Sequence, residues 1–137
     1  MSSTPTLPTN VKNGVVTIVP ADTTSLKTIL TTDGTFWRVT SISVCSDDTS
    51  NRTLSFYAGI GGTDYLIGSV TIPTLAGTDG AVAAVNVMGS TMWQAAIYDA
   101  FANRVLPLDT SVTLKVKSLV TVTTAKTITI FATAEKS

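Results

Sequence analysis

Few side chains in this sequence are suited to acid–base or metal chemistry. The chain has no histidine, the residue that most often transfers protons in enzymes. Its only adjacent carboxylates, Asp47 and Asp48, begin the polar stretch Asp47-Asp48-Thr49-Ser50-Asn51, and aspartate in such a stretch commonly hydrogen-bonds its own turn. The alternating acidic spacing of a calcium loop is missing. We therefore predict a turn here, and no metal, cofactor or catalytic residue in the chain.

Two further motifs could be taken for reactive sites, but structural roles explain them better. Cys45 is the single cysteine, and a nucleophilic thiol needs a neighbouring base. We interpret it as a small buried hydrophobic residue in a strand. Gly59-Ile60-Gly61-Gly62 lies between two strand-like runs, whereas a phosphate-binding loop precedes a helix. We interpret this motif as a hairpin turn, and we predict that the protein is not an enzyme.

Aromatic side chains are suited to contact with other molecules. Trp93, Tyr98 and Phe101 cluster in residues 89–101, and residues 89–99 of this stretch also permit a short helix. Exposed rings would form an apolar patch for protein contact, whereas buried rings would close one end of the fold. We favour contact, because small residues surround these rings. Tyr57 and Tyr65 lie on two strands of one predicted hairpin and could pack across it.

Composition limits the classes of partner. The chain has 137 residues, the size of one domain, and nine basic residues balance nine acidic ones. A neutral chain is not attracted to nucleic acid or to anionic lipid. Charged residues make up only 13% of the chain, but no apolar run approaches the roughly 18 residues that indicate a membrane helix. We therefore expect neither nucleic-acid nor membrane partners, and the N-terminus does not look like a secretory signal.

The C-terminal part of the chain must supply paired strands. In residues 111–120, Val112, Leu114 and Val116 alternate with polar residues, and Ile128 and Ile130 do the same in residues 126–134. Alternation with β-branched residues is typical of half-buried strands. We predict that the two runs form a hairpin, and that another sheet or another subunit covers it, because bare strands of this kind aggregate.

Similar runs recur along the rest of the chain, and turn residues separate them. They occupy residues 15–19, 25–30, 36–45, 52–58, 65–72, 81–88 and 103–108. The alternation changes face near Thr40-Ser41, which indicates a bulge. Leu66, Val70 and Ile72 are expected to share one buried face. The pattern predicts an all-β fold, an antiparallel sandwich or barrel of eight or nine strands with at most one short helix, in a single domain over residues 15–137.

Residues 1–14 differ from the rest in composition. They are rich in Ser, Thr, Pro and Asn, and Pro5 and Pro8 favour extended backbone without ladder hydrogen bonds. We predict a flexible N-terminal arm. Such an arm is either a disordered tail or a segment that docks on a neighbouring subunit.

Parts of the chain resemble small virion proteins of tailed bacteriophages, including capsid decoration (cement) proteins. The resemblance rests on residues 15–30 (VVTIVPADTTSLKTIL), 38–44 (RVTSISV), 62–73 (GTDYLIGSVTIP) and 114–117 (LKVK). It implies a jelly-roll-like sandwich, often a homotrimer, that binds the major capsid protein on the exterior of the head and is made in the host cytoplasm. Residues 89–101 match no part of the pattern.

A decoration protein must bridge neighbouring capsomers, which requires broad contact area and no pocket. We expect the arm to reach an adjacent subunit. The side chains assigned to interfaces are Trp93, Tyr98, Phe101, Val11 and Lys12.

Two alternatives stay open. One is another virion component, such as a tail, neck or head-fibre protein of similar form. The other is a carbohydrate-binding β-sandwich module, which would require exposed aromatic rings in a row on one sheet face.

Overall fold

The computed structural model describes residues 11–89, 97–98 and 104–136, with only the backbone at 97, 98 and 104. These residues form ten strands and two single turns of 3-10 helix, Pro20–Asp22 and Val87–Gly89. The strands are β1 (Val11–Ile18), β2 (Lys27–Thr31), β3 (Trp37–Ser46), β4 (Arg52–Ile60), β5 (Thr63–Ile72), β6 (Val85–Asn86), β7 (Ile97–Tyr98), β8 (Arg104–Leu108), β9 (Thr113–Ser118) and β10 (Ile128–Lys136).

The strands form two antiparallel sheets that pack face to face. Sheet A has the order β1-β10-β3-β8-β7, with the two-residue strand β6 beside β3, and sheet B has the order β2-β9-β4-β5. Apart from β6 and β7, every strand has at least five residues. When these eight longer strands are renumbered consecutively, the sheet orders become 1-8-3-6 and 2-7-4-5, which is the strand order of a jelly roll. The predicted all-β, jelly-roll-like sandwich is therefore confirmed.

The predicted C-terminal hairpin is wrong. Strand β9 pairs with β2 and β4 in sheet B, whereas β10 pairs with β1 and β3 in sheet A. Residues 119–127 cross from one sheet to the other. Alternation identifies the buried face of each strand, but both sheets bury a face against the same core, so the pattern does not identify the partner strand.

The hairpin predicted at Gly59-Ile60-Gly61-Gly62 is confirmed. Strands β4 and β5 pair along their whole length, with Arg52 opposite Ile72 at one end and Ile60 opposite Thr63 at the other. The turn between them consists of Gly61 and Gly62. Their φ angles are 60° and 84°. Two-residue hairpin turns with positive φ at both positions match the twist of the strands, and glycine adopts them without steric cost.

The core lies between the sheets and follows the predicted alternation. Each fully buried Leu, Ile or Phe contributes about 1.5–3 kcal/mol of hydrophobic free energy. The completely buried side chains include Ile18, Val39, Ile42, Val44, Ile128 and Ile130 from sheet A, and Leu54, Phe56, Ile72 and Leu114 from sheet B.

Bulges change which residues face the core. The predicted bulge near Thr40 is confirmed, because the register between β10 and β3 passes from Ser41 to Val39. A second bulge, between Phe56 and Tyr57 in the β4–β5 pair, places Leu66 opposite Tyr57 and Tyr65 opposite Ala58. Leu66 is consequently 60% exposed and not buried as expected. Tyr57 and Tyr65 point to opposite faces, so the predicted contact between them is wrong.

The N-terminal boundary also differs from the expectation. Residues 11–14, which the sequence assigned to the arm, belong to β1. They pair with β10, and Val11 lies opposite Glu135 and Gly14 opposite Ala132. The glycine and the lysine in this stretch concealed its alternation. Residues 1–10 lie outside the described residues.

Residues 81–88 form less strand than expected, since only Val85–Asn86 pairs with β3. Of the stretch for which a short helix was allowed, residues 97–98 form β7 and residues 90–96 and 99 lie outside the described ones. Within the described part of the chain, no helix has the length and apolarity needed to cross a membrane.

Candidate protein-contact surface

The outer face of sheet B satisfies its polar groups locally. Lys115 Nζ lies 2.8 Å from Asp64 Oδ1, and Lys117 Nζ lies 5.3 Å from the centroid of the Tyr57 ring. Hydroxyl pairs on β4 and β5 continue this pattern, with Ser55 and Ser69 at 2.8 Å and Thr53 and Thr71 at 3.5 Å. Charged groups that interact with each other and with water make this face a poor surface for an apolar partner.

The outer face of sheet A has a different composition. Strands β1, β10 and β3 present rows of side chains whose order follows from the register of the three strands. We define the sheet A face as the residues at these outward positions between the strand ends: Asn13, Val15, Thr17, Thr129, Phe131, Thr133, Ser41 and Ser43, together with Val11 at the margin. None of these residues is charged.

Two exposed apolar side chains form the centre of this face. Val15 and Phe131 are directly opposite each other in neighbouring strands, which brings their Cβ atoms to about 4.5–5.5 Å. Val15 is 58% exposed and Phe131 is 43% exposed. Because the two side chains are adjacent, they form one continuous apolar surface, and Val11, at 56% exposure, lies further along the same strand.

Other exposed apolar side chains occur, and most of them lie at turns or near strand ends. They are Leu26, Phe36, Ile60, Tyr65, Leu66, Leu119 and Val120. Leu66 is the exception, because it lies within β5 opposite Tyr57, but the ion pair of Lys115 and Asp64 is on the same face. The Val15–Phe131 pair differs because it lies within two long paired strands on a face without charged residues. A partner could therefore lie flat against it, which large protein interfaces require.

Polar groups frame the apolar centre. Thr133 Oγ1 donates to Asn13 Oδ1 at 3.3 Å. At the end where β10 finishes, Arg38 and Glu135 form an ion pair, so their charges neutralise each other. This arrangement resembles the usual interface pattern, with an apolar centre and a polar rim.

The inner side of the same strands holds the face in place. Val16, Ile18, Ile130 and Ala132 alternate with the outward residues and are buried in the core. Because interior side chains are closely packed, the sheet A face has a fixed shape, and a partner would not have to order it on binding.

The residues predicted for interfaces lie in different places. Val11 is at the margin of the sheet A face, whereas Lys12 points the other way, and its Nζ donates to the Thr31 carbonyl and lies 5.3 Å from the Trp37 ring centroid. Tyr98 lies in β7, opposite Arg104 of β8 in the backbone register. Trp93 and Phe101 lie outside the described residues, so their assignment stays a prediction.

Asp47 and Asp48 have a larger structural role than the predicted turn. Asp48 is completely buried. Its carboxylate accepts hydrogen bonds from Arg52 Nε at 2.8 Å, from Thr123 Oγ1 at 2.7 Å and from the Thr123 amide at 3.0 Å. Asp47 Oδ1 accepts the Thr127 amide at 2.6 Å. The two carboxylates therefore fasten the crossing segment, residues 119–127, to the loop between β3 and β4.

Burial alone would raise the pKa of Asp48, because the charged form loses its hydration. The hydrogen bonds from Thr123, Arg52 and the Ser50 amide stabilise the carboxylate more strongly and hold its pKa well below the usual range. Asp48 is thus a charged structural anchor. Among the described residues, no three His, Cys, Asp or Glu side chains lie close enough together to hold a metal ion.

Cys45 is partly buried, not fully buried as expected. It lies on the outer side of β3, under the loop that follows β5. An added Cβ on Gly77 would come within 2.8 Å of Cys45 Sγ, which shows how closely that loop covers it.

Sequence reasoning did not identify Val15 and Phe131 as residues of the candidate contact surface. A signal was present, because the alternation placed Phe131 on the same side as Thr129 and Thr133, and a phenylalanine on a threonine-rich face is unusual.

A scan against protein-family models finds no match for this chain, and a search of curated proteins finds none either.

Proposed function

We propose that this chain is a structural protein of a bacteriophage virion, a decoration protein that binds the outside of the head through the sheet A face. The observation that carries the proposal is the exposed pair Val15 and Phe131 at the centre of a broad uncharged surface. Contact between such a surface and an uncharged capsid surface would gain hydrophobic free energy without burying an unpaired charge.

The fold is compatible with this function. Jelly rolls occur in viral capsid proteins, but also in lectins and other domains, so the fold alone does not select a function. The four segments that resemble virion proteins include half of β1, most of β2, all of β5, and parts of β3 and β9. These strands belong to both sheets, so the resemblance is not confined to one loop.

Further parts of the proposal concern assembly. We propose that the protein is a homotrimer, and that it stabilises the head by protein–protein contacts and catalyses no reaction. Residues 1–10 precede Val11 at the margin of the sheet A face, and in the proposal they reach a neighbouring subunit on the head.

Labelling tests the location. An antibody raised against the purified chain is applied to purified particles of the phage that encodes it and imaged by electron microscopy. Label over the outside of the head supports the proposal. Label on the tail, neck or fibres would support another virion component, and particles without label would contradict a virion role.

A glycan array tests the remaining alternative. Among the described residues, the exposed rings of Phe36, Tyr65 and Phe131 do not form a row for stacking on sugar. Tyr65 belongs to sheet B, and Phe36 precedes β3, far along that strand from Ser43, the residue opposite Phe131. The proposal predicts no bound glycan, and saturable binding to one glycan class would overturn it.

A further inference from the structure

Strands β1 and β2 are the edge strands of the two sheets on the same side of the sandwich. Among the described strands, β1 pairs only with β10, and β2 pairs only with β9. An edge strand exposes amide and carbonyl groups with which another chain can pair. The Thr17 carbonyl accepts a hydrogen bond from Lys27 and so points away from β10. By the alternation of the ladder, the backbone groups of Val11, Asn13 and Val15 point in the same direction.

The two edge strands run side by side and approach closely at Gly14. A Cβ added there would lie 2.2 Å from the Ile29 carbonyl oxygen, so only glycine permits this approach. Lys12 of β1 donates to the Thr31 carbonyl of β2, and Lys27 of β2 donates to the Thr17 carbonyl of β1 at 2.6 Å. Each strand thus supplies a lysine to a carbonyl of the other, one on each side of Gly14.

Further contacts hold both ammonium groups in place. Lys27 Nζ also lies 3.0 Å from Asp22 Oδ2, and Lys12 Nζ lies over the Trp37 ring at 5.3 Å from its centroid. Lys27 therefore takes the Thr17 carbonyl, which a strand added to β1 would need, whereas Lys12 lies on the inner side of sheet A and ties β1 to β2. Lysine at a sheet edge is a known means of preventing such addition, because pairing would displace or desolvate its charge.

We propose that Lys27 blocks the edge of β1 against pairing with β1 of a second copy. A second copy is the fitting partner because β1 is eight residues long, rich in valine, and carries no charge besides Lys12. Two such strands can pair antiparallel about a twofold axis. The pairing would join the two A sheets and place their exposed Val15 side chains on one continuous surface, which adds hydrophobic contact.

The test uses the purified chain alone and does not depend on the virion proposal. We compare Lys27→Met with Lys115→Met, which also removes one lysine that is paired with an aspartate, but from the outer face of sheet B. Sedimentation equilibrium over a wide concentration range should give Lys27→Met at least twice the mass of the parent at high concentration, since each β1 edge would pair with that of a second copy. The control should keep the mass of the parent.

Hydrogen–deuterium exchange then locates the contact. In Lys27→Met at high concentration, the amides of Val15 and Thr17 should exchange more slowly than in the parent, because they become bonded to the second copy. An unchanged mass, or a raised mass without this protection, would overturn the proposal. If Lys27→Met does not fold, Lys27→Gln is measured in the same way, and Lys27→Arg, which keeps the charge and the donor, should retain the mass of the parent.

Discussion

Arg52 Nε donates a hydrogen bond to Asp48 Oδ2 across 2.8 Å, and the carboxylate that accepts it has no solvent exposure. Thr123 bonds the same carboxylate from the segment that crosses between the sheets. The contact therefore connects the loop between β3 and β4 to the crossing segment that leads into β10. Since β10 supplies Phe131, this ion pair helps to fix the strand on which the proposed contact surface depends.

Replacing Asp48 should destabilise the fold strongly. Asp48→Asn leaves Arg52 without its buried partner, and breaking such a pair costs about 3 kcal/mol of unfolding free energy. Asp64→Asn is a matched control, because Asp64 and Lys115 also form an ion pair of 2.8 Å but remain partly exposed. An exposed pair is worth about 0–1 kcal/mol. Urea unfolding measures both values, and equal losses would contradict the assigned role of Asp48.

The same carboxylate predicts the direction of the acid response. The pKa of Asp48 is lower in the folded protein than in the unfolded chain, where aspartate titrates near about 3.9. Its contribution to stability is therefore complete above that pH and is lost as the pH falls toward the folded pKa. Asp33 also contributes stability that is lost on acidification, because hydrogen bonds from Thr35 and Trp37 lower its pKa in the folded protein to about 2.

Urea unfolding of the parent and of Asp48→Asn at several pH values checks this sign. The difference in unfolding free energy between the two proteins should be constant near neutral pH and should shrink below a pH of about 4. A difference that grows on acidification would show that protonation of Asp48 favours the folded state, contrary to the expectation.

Gly14 should tolerate no side chain. A Cβ at this position would approach the Ile29 carbonyl oxygen to 2.2 Å, and two backbone segments cannot move apart as a flexible side chain would. We expect Gly14→Ala to cost about 3 kcal/mol, at the upper end for overpacked sites. Gly89→Ala is the control, since its nearest atom is 3.4 Å away. Thermal unfolding should separate the two variants clearly, and similar melting temperatures would refute the close approach of β1 and β2.

The sequence predicted individual strands better than their partners. Leu114, Val116, Ile128 and Ile130 were assigned to buried faces by alternation alone, and the structure buries all four. Alternation is a local property that burial imposes on each strand. The pairing of β9 with β4 joins residues far apart in the chain, and the same local pattern is equally compatible with a hairpin to β10.

The contact surface was harder to predict for a related reason. Whether Phe131 is exposed depends on which strand lies beside it and whether anything covers that strand. Val15 becomes its neighbour only through the pairing of β1 with β10, at opposite ends of the chain. Leu66 shows the reverse case, because a single bulge in β4–β5 moved a residue expected in the core to the surface.

The most direct test of the contact surface compares two charge insertions. Phe131→Asp introduces a carboxylate at the centre of the sheet A face, and Leu66→Asp introduces one at a position that is 60% exposed on sheet B. Both replaced side chains are exposed, so both variants should fold with nearly the stability of the parent. Each is titrated onto heads of the encoding phage that lack the protein.

We predict that Phe131→Asp binds the heads at least about 10-fold more weakly than the parent, since a buried unpaired carboxylate costs more than the roughly 1.4 kcal/mol that this factor represents. Leu66→Asp should bind as the parent does. Parental binding by Phe131→Asp would contradict the claim that the protein attaches through the outer face of sheet A.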